Sequence, residues 1–385
     1  MSLDKVIMDI NKIEKKYSNL TRFNRDLINV NPLQTAGRLT PEAKRSMLEF
    51  GDGYSVCDYC KGTLEKIENP PIKSFVEEDF PNFIGSDYSR ITHGAREGNA
   101  RVMKAMTKLG DSIIVDGNAH YSTIVSAQAA GLKIIRVPAG DDPGRILNVE
   151  DYIPLIEKYN PSLILLTYPD GTVGNLPDAK RLGEIAKQKN VPYLINGAYA
   201  IGRMPINMTE LGADFIVGSG HKSMASSGPV GILGFNEKYK DQITEASETY
   251  PNKELGCIGC SVRGAPLITM MASFPTIVKR VQNWDEEVAK ARWFSEEMET
   301  LGMRQMGEKP HNHDLMQFIT EPFYEISKIH PHKRGFLYKA LKSEGIVGLK
   351  HGLTKSMKIS TYGTSRNNLQ KVLDTFSTLL DQYSN

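Results

Sequence analysis

The chain has 385 residues, 40% of them apolar and 24% charged, ordinary for a globular protein with enough core for two or three domains. Its formal net charge is +2, from 47 basic and 45 acidic side chains, so the strongly basic balance of a wholesale nucleic-acid binder is absent. No apolar run reaches the roughly 18 residues of a membrane span, and the N-terminal MSLDKVIMDINKIEKKYSNL reads as an amphipathic helix rather than a signal peptide, so a cytoplasmic protein without membrane contact is expected.

In chain order, residues 1–45 form an N-terminal segment expected to pack on one or both of two domains. Residues 46–265 make the larger of these. Within it SIIVDG, KIIRVP, SLILLTYP, VPYLIN and DFIVGSG read as buried strands. YSTIVSAQAAG, VEDYIPLIEKYN and DAKRLGEIAKQKN read as helices between them, the last two capped by Asn148 and Asp178. Such alternation predicts a parallel sheet with helices on both faces. Residues 266–385 change pattern. SFPTIVKRVQNWDEEVAKARWFSEEMETLG reads as one long linking helix, followed by strands at HDLMQFIT and MKISTYG and helices at about 334–344 and 366–382. That makes a smaller α+β domain.

The stretch GSGHKSMASSGPVGILGF puts Lys222 just beyond the apolar run Phe215-Ile216-Val217, in a turn of small residues. Open α/β sheets bind ligands outside the carboxyl ends of their strands. A desolvated lysine there has a lowered pKa and forms imines readily. Alone, the stretch suits a solvated surface turn equally well. Three other stretches favour chemistry. THGAREGNARVMKAM opens a helix at Gly94, Ala95 and Arg96, where backbone N–H groups and the positive helix end would hold a phosphate. VDGNAHYSTIVSA sets His120 one residue before a helix, where its flat ring would stack on a cofactor. YLINGAYAIG ends a strand on Asn196, where a partner for a pyridine nitrogen would sit. Phosphate loop, stacking histidine, nitrogen partner and lysine, in that order, are the parts of a pyridoxal phosphate (PLP) site. The expected class is α/β, a fold-type I PLP-dependent transferase of the aspartate aminotransferase type.

ITHGAREGNARV, YPDGTVGNLPD, INGAYAIGRMP, FIVGSGHKSMASSGPVG, GCSVRGAP, HNHDLM and ISTYG, from about residue 20 to the C-terminus, resemble the archaeal Sep-tRNA:Cys-tRNA synthase family. Cysteine desulfurases and selenocysteine lyases are its wider relatives. The resemblance implies conversion of O-phosphoseryl-tRNA(Cys) to cysteinyl-tRNA(Cys), with sulfur replacing phosphate through a dehydroalanyl intermediate. Lys222 would anchor the cofactor and shuttle the α-proton. Ala95, Arg96, Ser219, Gly220 and His221 would contact the cofactor, chiefly its phosphate. His120 would stack, and Asn196 would face the pyridine nitrogen. Asparagine in place of aspartate makes a weaker electron sink.

The only cysteines are Cys57, Cys60, Cys257 and Cys260, in two Cys-x-x-Cys pairs nearly 200 residues apart, too far for a compact zinc module. The family pattern maps onto Cys57, Cys60 and Cys260 and leaves Cys257 as an extra. Those three would carry a persulfide, whose outer sulfur adds to the dehydroalanyl group while a second thiol releases the product by forming a disulfide. An iron–sulfur cluster on the same three is the alternative.

SMKISTYG has Lys358 where relatives acting on free amino acids place a carboxylate-clamping arginine, and an aminoacyl ester has no carboxylate to clamp. Arg263, His311 and His313 are candidates for the substrate phosphate, with His311 and His313 alternating on a strand. Lys350, His351, Lys355 and Lys358 are candidates for the tRNA acceptor end. The whole predicts a homodimer with its active site at the subunit interface, partnered by tRNA(Cys) charged with phosphoserine and by the phosphoseryl-tRNA synthetase. The rivals are a desulfurase-like enzyme acting on free cysteine and a nonenzymatic scaffold.

Overall fold

Short runs rich in isoleucine, leucine and valine suit strands covered on both faces. The computed structural model describes residues 10–18, 27–51, 71–256 and 264–383; Cys57, Cys60, Cys257, Cys260 and Arg263 lie outside them. A two-residue strand β1 (Ile28–Asn29) precedes the strands of the main sheet. These are β2 (Tyr88–Thr92), β3 (Ser112–Val115), β4 (Lys133–Arg136), β5 (Leu163–Thr167), β6 (Tyr193–Asn196), β7 (Phe215–Ser219) and β8 (Gly231–Phe235). Their order is β2-β8-β7-β6-β5-β3-β4. β8 runs antiparallel to both neighbours, and the remaining pairs are parallel.

The two-residue period divides each strand between two apolar layers. Ile113, Val115, Leu163 and Leu165 pack in one cluster; Ile114, Ile164 and Leu166 pack in the other, across the sheet. Each such side chain, fully buried, contributes about 1.5–3 kcal/mol. Helices Ala95–Met106, Tyr121–Ala129 and Ala179–Lys189 connect the strands. Asp178 caps the last, its carboxylate accepting from Arg181 N at 2.9 Å. Asn148 caps a 3-10 turn, Val149–Asp151, that leads into helix Tyr152–Tyr159.

The second layer system holds a three-stranded antiparallel sheet, β9 (Arg304–Met306), β10 (Leu315–Ile319) and, after β11 (Ile346–Val347), β12 (Ser356–Ser360), in the order β12-β10-β9. Helices Glu321–Ile329, Phe336–Ser343 and Arg366–Asp381 accompany it, and Phe294, Phe318, Phe323 and Phe376 lie in its core. The single linking helix expected from residue 273 is instead two, Ala265–Gln282 and Trp284–Thr300, which meet at Asn283. Three consecutive acids, Asp285, Glu286 and Glu287, suit the positive end of the new helix.

The N-terminal segment touches both systems. β1 pairs in parallel with β11, Ile28 opposite Ile346, and Val30 joins the smaller core. Six residues on, Ala36 O accepts from Ala225 N in the large one. Among the described residues no helix is long and apolar enough to cross a membrane.

Candidate active site

The carboxyl ends of β3, β6 and β7 and the start of helix Ala95–Met106 converge on one corner of the sheet. Gly94 precedes that helix with φ +109°, a left-handed conformation that glycine adopts at low cost. Ala95 N donates to Ser219 Oγ at 3.3 Å. A Cβ on Gly94 would lie 3.1 Å from His221 Cε1, and one on Gly231 would lie 2.4 Å from Gly94 Cα. Gly94, Ala95, Ser219 and His221 therefore form one close-packed cradle at the start of the helix. His221 Nδ1 lies 2.9 Å from Val230 O, and burial pushes its pKa down. Gly220 N donates to Val230 O at 3.0 Å, so its N–H is already committed and its contribution is space: a Cβ there would lie 2.8 Å from Met270 Sδ. Arg96 is exposed at the rim.

His120 is both things a histidine before a helix can be. It caps Tyr121–Ala129, its Nδ1 accepting from Ser122 N at 3.3 Å and lying 2.8 Å from Ser122 Oγ. Its ring also faces the site. Burial first, then Lys222 and Lys358, pushes its pKa down to about 4, so the imidazole is neutral at pH 7. Asn196, at the end of β6, is 2% exposed. Its Nδ2 donates to Thr123 Oγ1 at 3.2 Å, while Oδ1 has no partner among the described residues. Asn99 repeats the pattern on the same hydroxyl, at 3.5 Å, with a second unpartnered Oδ1. A buried oxygen left unmatched costs about 1–3 kcal/mol. These oxygens fit a bound group that brings its own donors.

Lys222 lies on the short helix Gly220–Ser223, its Nζ 5.1 Å from the centre of the Tyr199 ring. No hydrogen bond to that Nζ is present among the described residues. Burial, and then the nearby Arg203, lowers its pKa. Sequence patterns passed over Arg203, whose side chain is fully buried. Its Nη1 donates to Asp314 Oδ2 at 2.6 Å, its Nη2 to Pro32 O at 2.6 Å and to Lys222 O at 3.5 Å, and its Nε to Ser223 Oγ at 3.2 Å. From the other side Arg280 Nη2 donates to Ser223 O at 2.7 Å and Ala36 O at 3.0 Å. Two guanidiniums thus clamp the backbone of the lysine turn. The one signal in the sequence was an arginine amid the small residues of GAYAIGRMP.

Lys358, on β12, reaches across to donate to Gly171 O. A Cβ on Gly171 would lie 3.4 Å from His120 Cδ2, which puts Lys358 and His120 on one wall. That wall lines a cavity of about 390 Å³ with Lys350, Tyr121, Tyr199 and Leu33. Burial lowers the Lys358 pKa.

His311 and His313 depart from expectation. They precede β10 rather than alternating on a strand, and neither lines that cavity. His311 Nε2 is held by Leu315 O at 2.7 Å. His313 accepts from Leu315 N on Nδ1 at 3.0 Å, while its Nε2 lies 3.2 Å from Tyr199 O. Burial pushes the His313 pKa down to about 4. Two neutral, backbone-bound rings offer a phosphate little. No group of three or more metal-ligating side chains occurs among the described residues.

A profile of the O-phosphoseryl-tRNA(Sec) selenium transferase family, SepSecS, matches residues 100–381. The chain is 51% identical over 377 residues to O-phospho-L-seryl-tRNA:Cys-tRNA synthase 1 of Methanocella arvoryzae, covering 96% of this chain and 98% of that protein. Among solved structures it is similar to SepCysS in a complex with the SepCysE N-terminal domain, with TM-score 0.90 and 44% identity over 96% of this chain and 99% of that one. A serine palmitoyltransferase from S. paucimobilis, solved with a bound PLP–myriocin aldimine, shares the fold-type I scaffold alone: TM-score 0.70 and 16% identity over 93% and 88% of the two chains.

Proposed function

Because the chain belongs to the O-phospho-L-seryl-tRNA:Cys-tRNA synthase family, we propose that it converts O-phosphoseryl-tRNA(Cys) to cysteinyl-tRNA(Cys) with pyridoxal phosphate as cofactor. The observation that carries the reading is the pairing of a half-buried, unbonded Lys222 with an unmatched Asn196 Oδ1 at adjacent strand ends. The cofactor fits these residues. Its phosphate suits the helix start at Gly94 and Ala95 with Ser219 and His221, its ring suits the neutral face of His120, and its nitrogen suits Asn196. When bound, it supplies the electron sink that lets an α-proton leave and a β-substituent depart.

The chain's own residues do the rest. Lys222, with its pKa lowered by burial and by Arg203, takes and returns a proton at Nζ. Arg203 and Arg280 fix the turn from which it reaches. Lys358 and Lys350 line the cavity with ammonium groups that suit a phosphoryl group, and Lys358 does so where a free amino acid would need an arginine. On the substrate, loss of phosphate leaves a dehydroalanyl ester. Sulfur then adds from a persulfide on Cys57, Cys60 or Cys260, a second thiol becoming oxidised to the disulfide as the new thiol is released. We propose a homodimer acting in the cytoplasm on tRNA delivered by the phosphoseryl-tRNA synthetase, with a SepCysE-like protein as a further partner.

The test is anaerobic. PLP-loaded protein receives sulfide with either phosphoseryl-tRNA or free O-phosphoserine, and the amino acid formed is identified. Cysteine formed on tRNA alone is expected. Equal turnover of free phosphoserine contradicts the ester reading of Lys358, and sulfide released from free cysteine without tRNA supports a desulfurase instead.

A further inference from the structure

Residues 321–358 carry eight lysines and arginines against three glutamates, with three of the chain's eight histidines, in a chain of net charge only +2. The rest of the molecule is therefore net negative, and the excess is local. The fold gathers it onto one exposed face. Lys328, Arg334 and Lys355 come from three separate segments, yet all lie over the Tyr324 ring, at 4.7, 5.8 and 5.1 Å from its centre. His351 meets the Tyr338 ring at 5.4 Å, and Lys339 Nζ lies 3.3 Å from His332 Nδ1. Lys350, the neighbour of His351, carries the face to the mouth of the cavity that holds His120 and Lys358.

Among the described residues little balances these charges. Glu325 pairs with Lys328. Arg334, Lys350 and Lys355 have no carboxylate partner among the described residues. Gathering like charges on a surface adds nothing to folding. A polyanion would supply the missing counter-charge. At the cavity mouth Tyr121 is 65% exposed and Leu33 49%, an aromatic and an aliphatic surface of the kind unpaired bases stack on.

We infer that this face docks the acceptor end of the tRNA. Backbone phosphates of the terminal nucleotides lie over Arg334, Lys355 and Lys350, the last base stacks beside Tyr121, and the aminoacyl ester enters the cavity toward His120 and Lys358. The inference rests on the proposed function and adds the surface by which that substrate is held.

The experiment measures binding of an uncharged tRNA(Cys) transcript, across a salt series, to PLP-loaded wild type and two triple variants. One carries Arg334→Glu, Lys350→Glu and Lys355→Glu. The control carries Lys133→Glu, Lys180→Glu and Lys187→Glu, three exposed lysines outside the face. Equal cofactor loading in all three shows that each is folded. The face variant should bind at least about tenfold more weakly, with a log–log salt slope shallower by about 2, the value for three lost phosphate contacts on a single strand. The control should match wild type. If the face variant binds like wild type while wild type makes cysteinyl-tRNA, the surface is wrong and the function stands. Equal weakening in both variants also overturns the surface, leaving a general charge effect. A wild type that neither binds nor converts the tRNA removes the function and the inference together.

Discussion

The Lys222 turn and the cationic face of residues 321–358 hold positive charge in opposite ways. At the turn the cations are partly or wholly buried. Arg203 is at 0% exposure, wedged among Asp314, Pro32 O and Ser223, and the Nζ of the lysine it supports has no hydrogen bond among the described residues. On the face the cations are exposed, and Arg334, Lys350 and Lys355 have no carboxylate partner among the described residues. Burial turns a single amine into a reagent, at the risk of unfolding if one clamp is lost. Exposure makes a surface whose parts add weakly and fade in salt. Large, indivisible effects are expected in the first region and small, additive ones in the second.

The largest should come from Lys222→Ala, which removes the proton-transferring amine while touching no clamp. Turnover should fall by about 10²–10⁴-fold with the thermal midpoint unchanged. A folded variant with near-native activity would end the role assigned to Lys222. Next is Arg203→Met, which strands Asp314 in the core. Breaking a buried pair this way costs about 3–5 kcal/mol, read as a large fall in thermal midpoint. A loss within the ordinary surface range would show that the clamp is not structural.

Two buried titrating groups sharpen the contrast through pH. Burial pushes the His313 pKa from 6.5 to about 4, so the unfolded chain takes up that proton first and stability falls as pH drops from 6.5 toward 4. Asp116 opposes it. Burial raises its pKa from 3.8 to about 7, so the unfolded chain releases that proton first and stability falls as pH rises through that window. Asp116→Asn removes one side of the balance. Between pH 7 and 5 the variant should lose stability that wild type keeps, on the order of 2 kcal/mol; parallel curves would contradict these assignments. The smallest effect should be Lys355→Gln on the face. It should raise KM for charged tRNA a few-fold, leave kcat alone, and lose its effect at high salt.

Much of this was legible in the sequence because burial leaves a period. The five parallel-sheet runs, the Asp178 cap, and the placement of His120, Asn196 and Lys222 at strand and helix ends follow from local patterns. What was not legible depends on distant partners. Arg203 draws its meaning from Pro32 and Asp314, 171 and 111 residues away. HNHD stands out for its histidines, whereas the carboxylate of Asp314 is the group that holds Arg203. The break at Asn283 was hidden because both flanking stretches are good helix formers, and only packing decides where one stops.

The role of Lys222 is decided at the site of cofactor attachment. Protein loaded with pyridoxal phosphate is reduced with borohydride, digested, and the pyridoxyl-bearing peptide sequenced. A single label on Lys222 is expected, with Lys358 and Lys350 unmodified. Label on either of those cavity lysines, or none on Lys222, would contradict it.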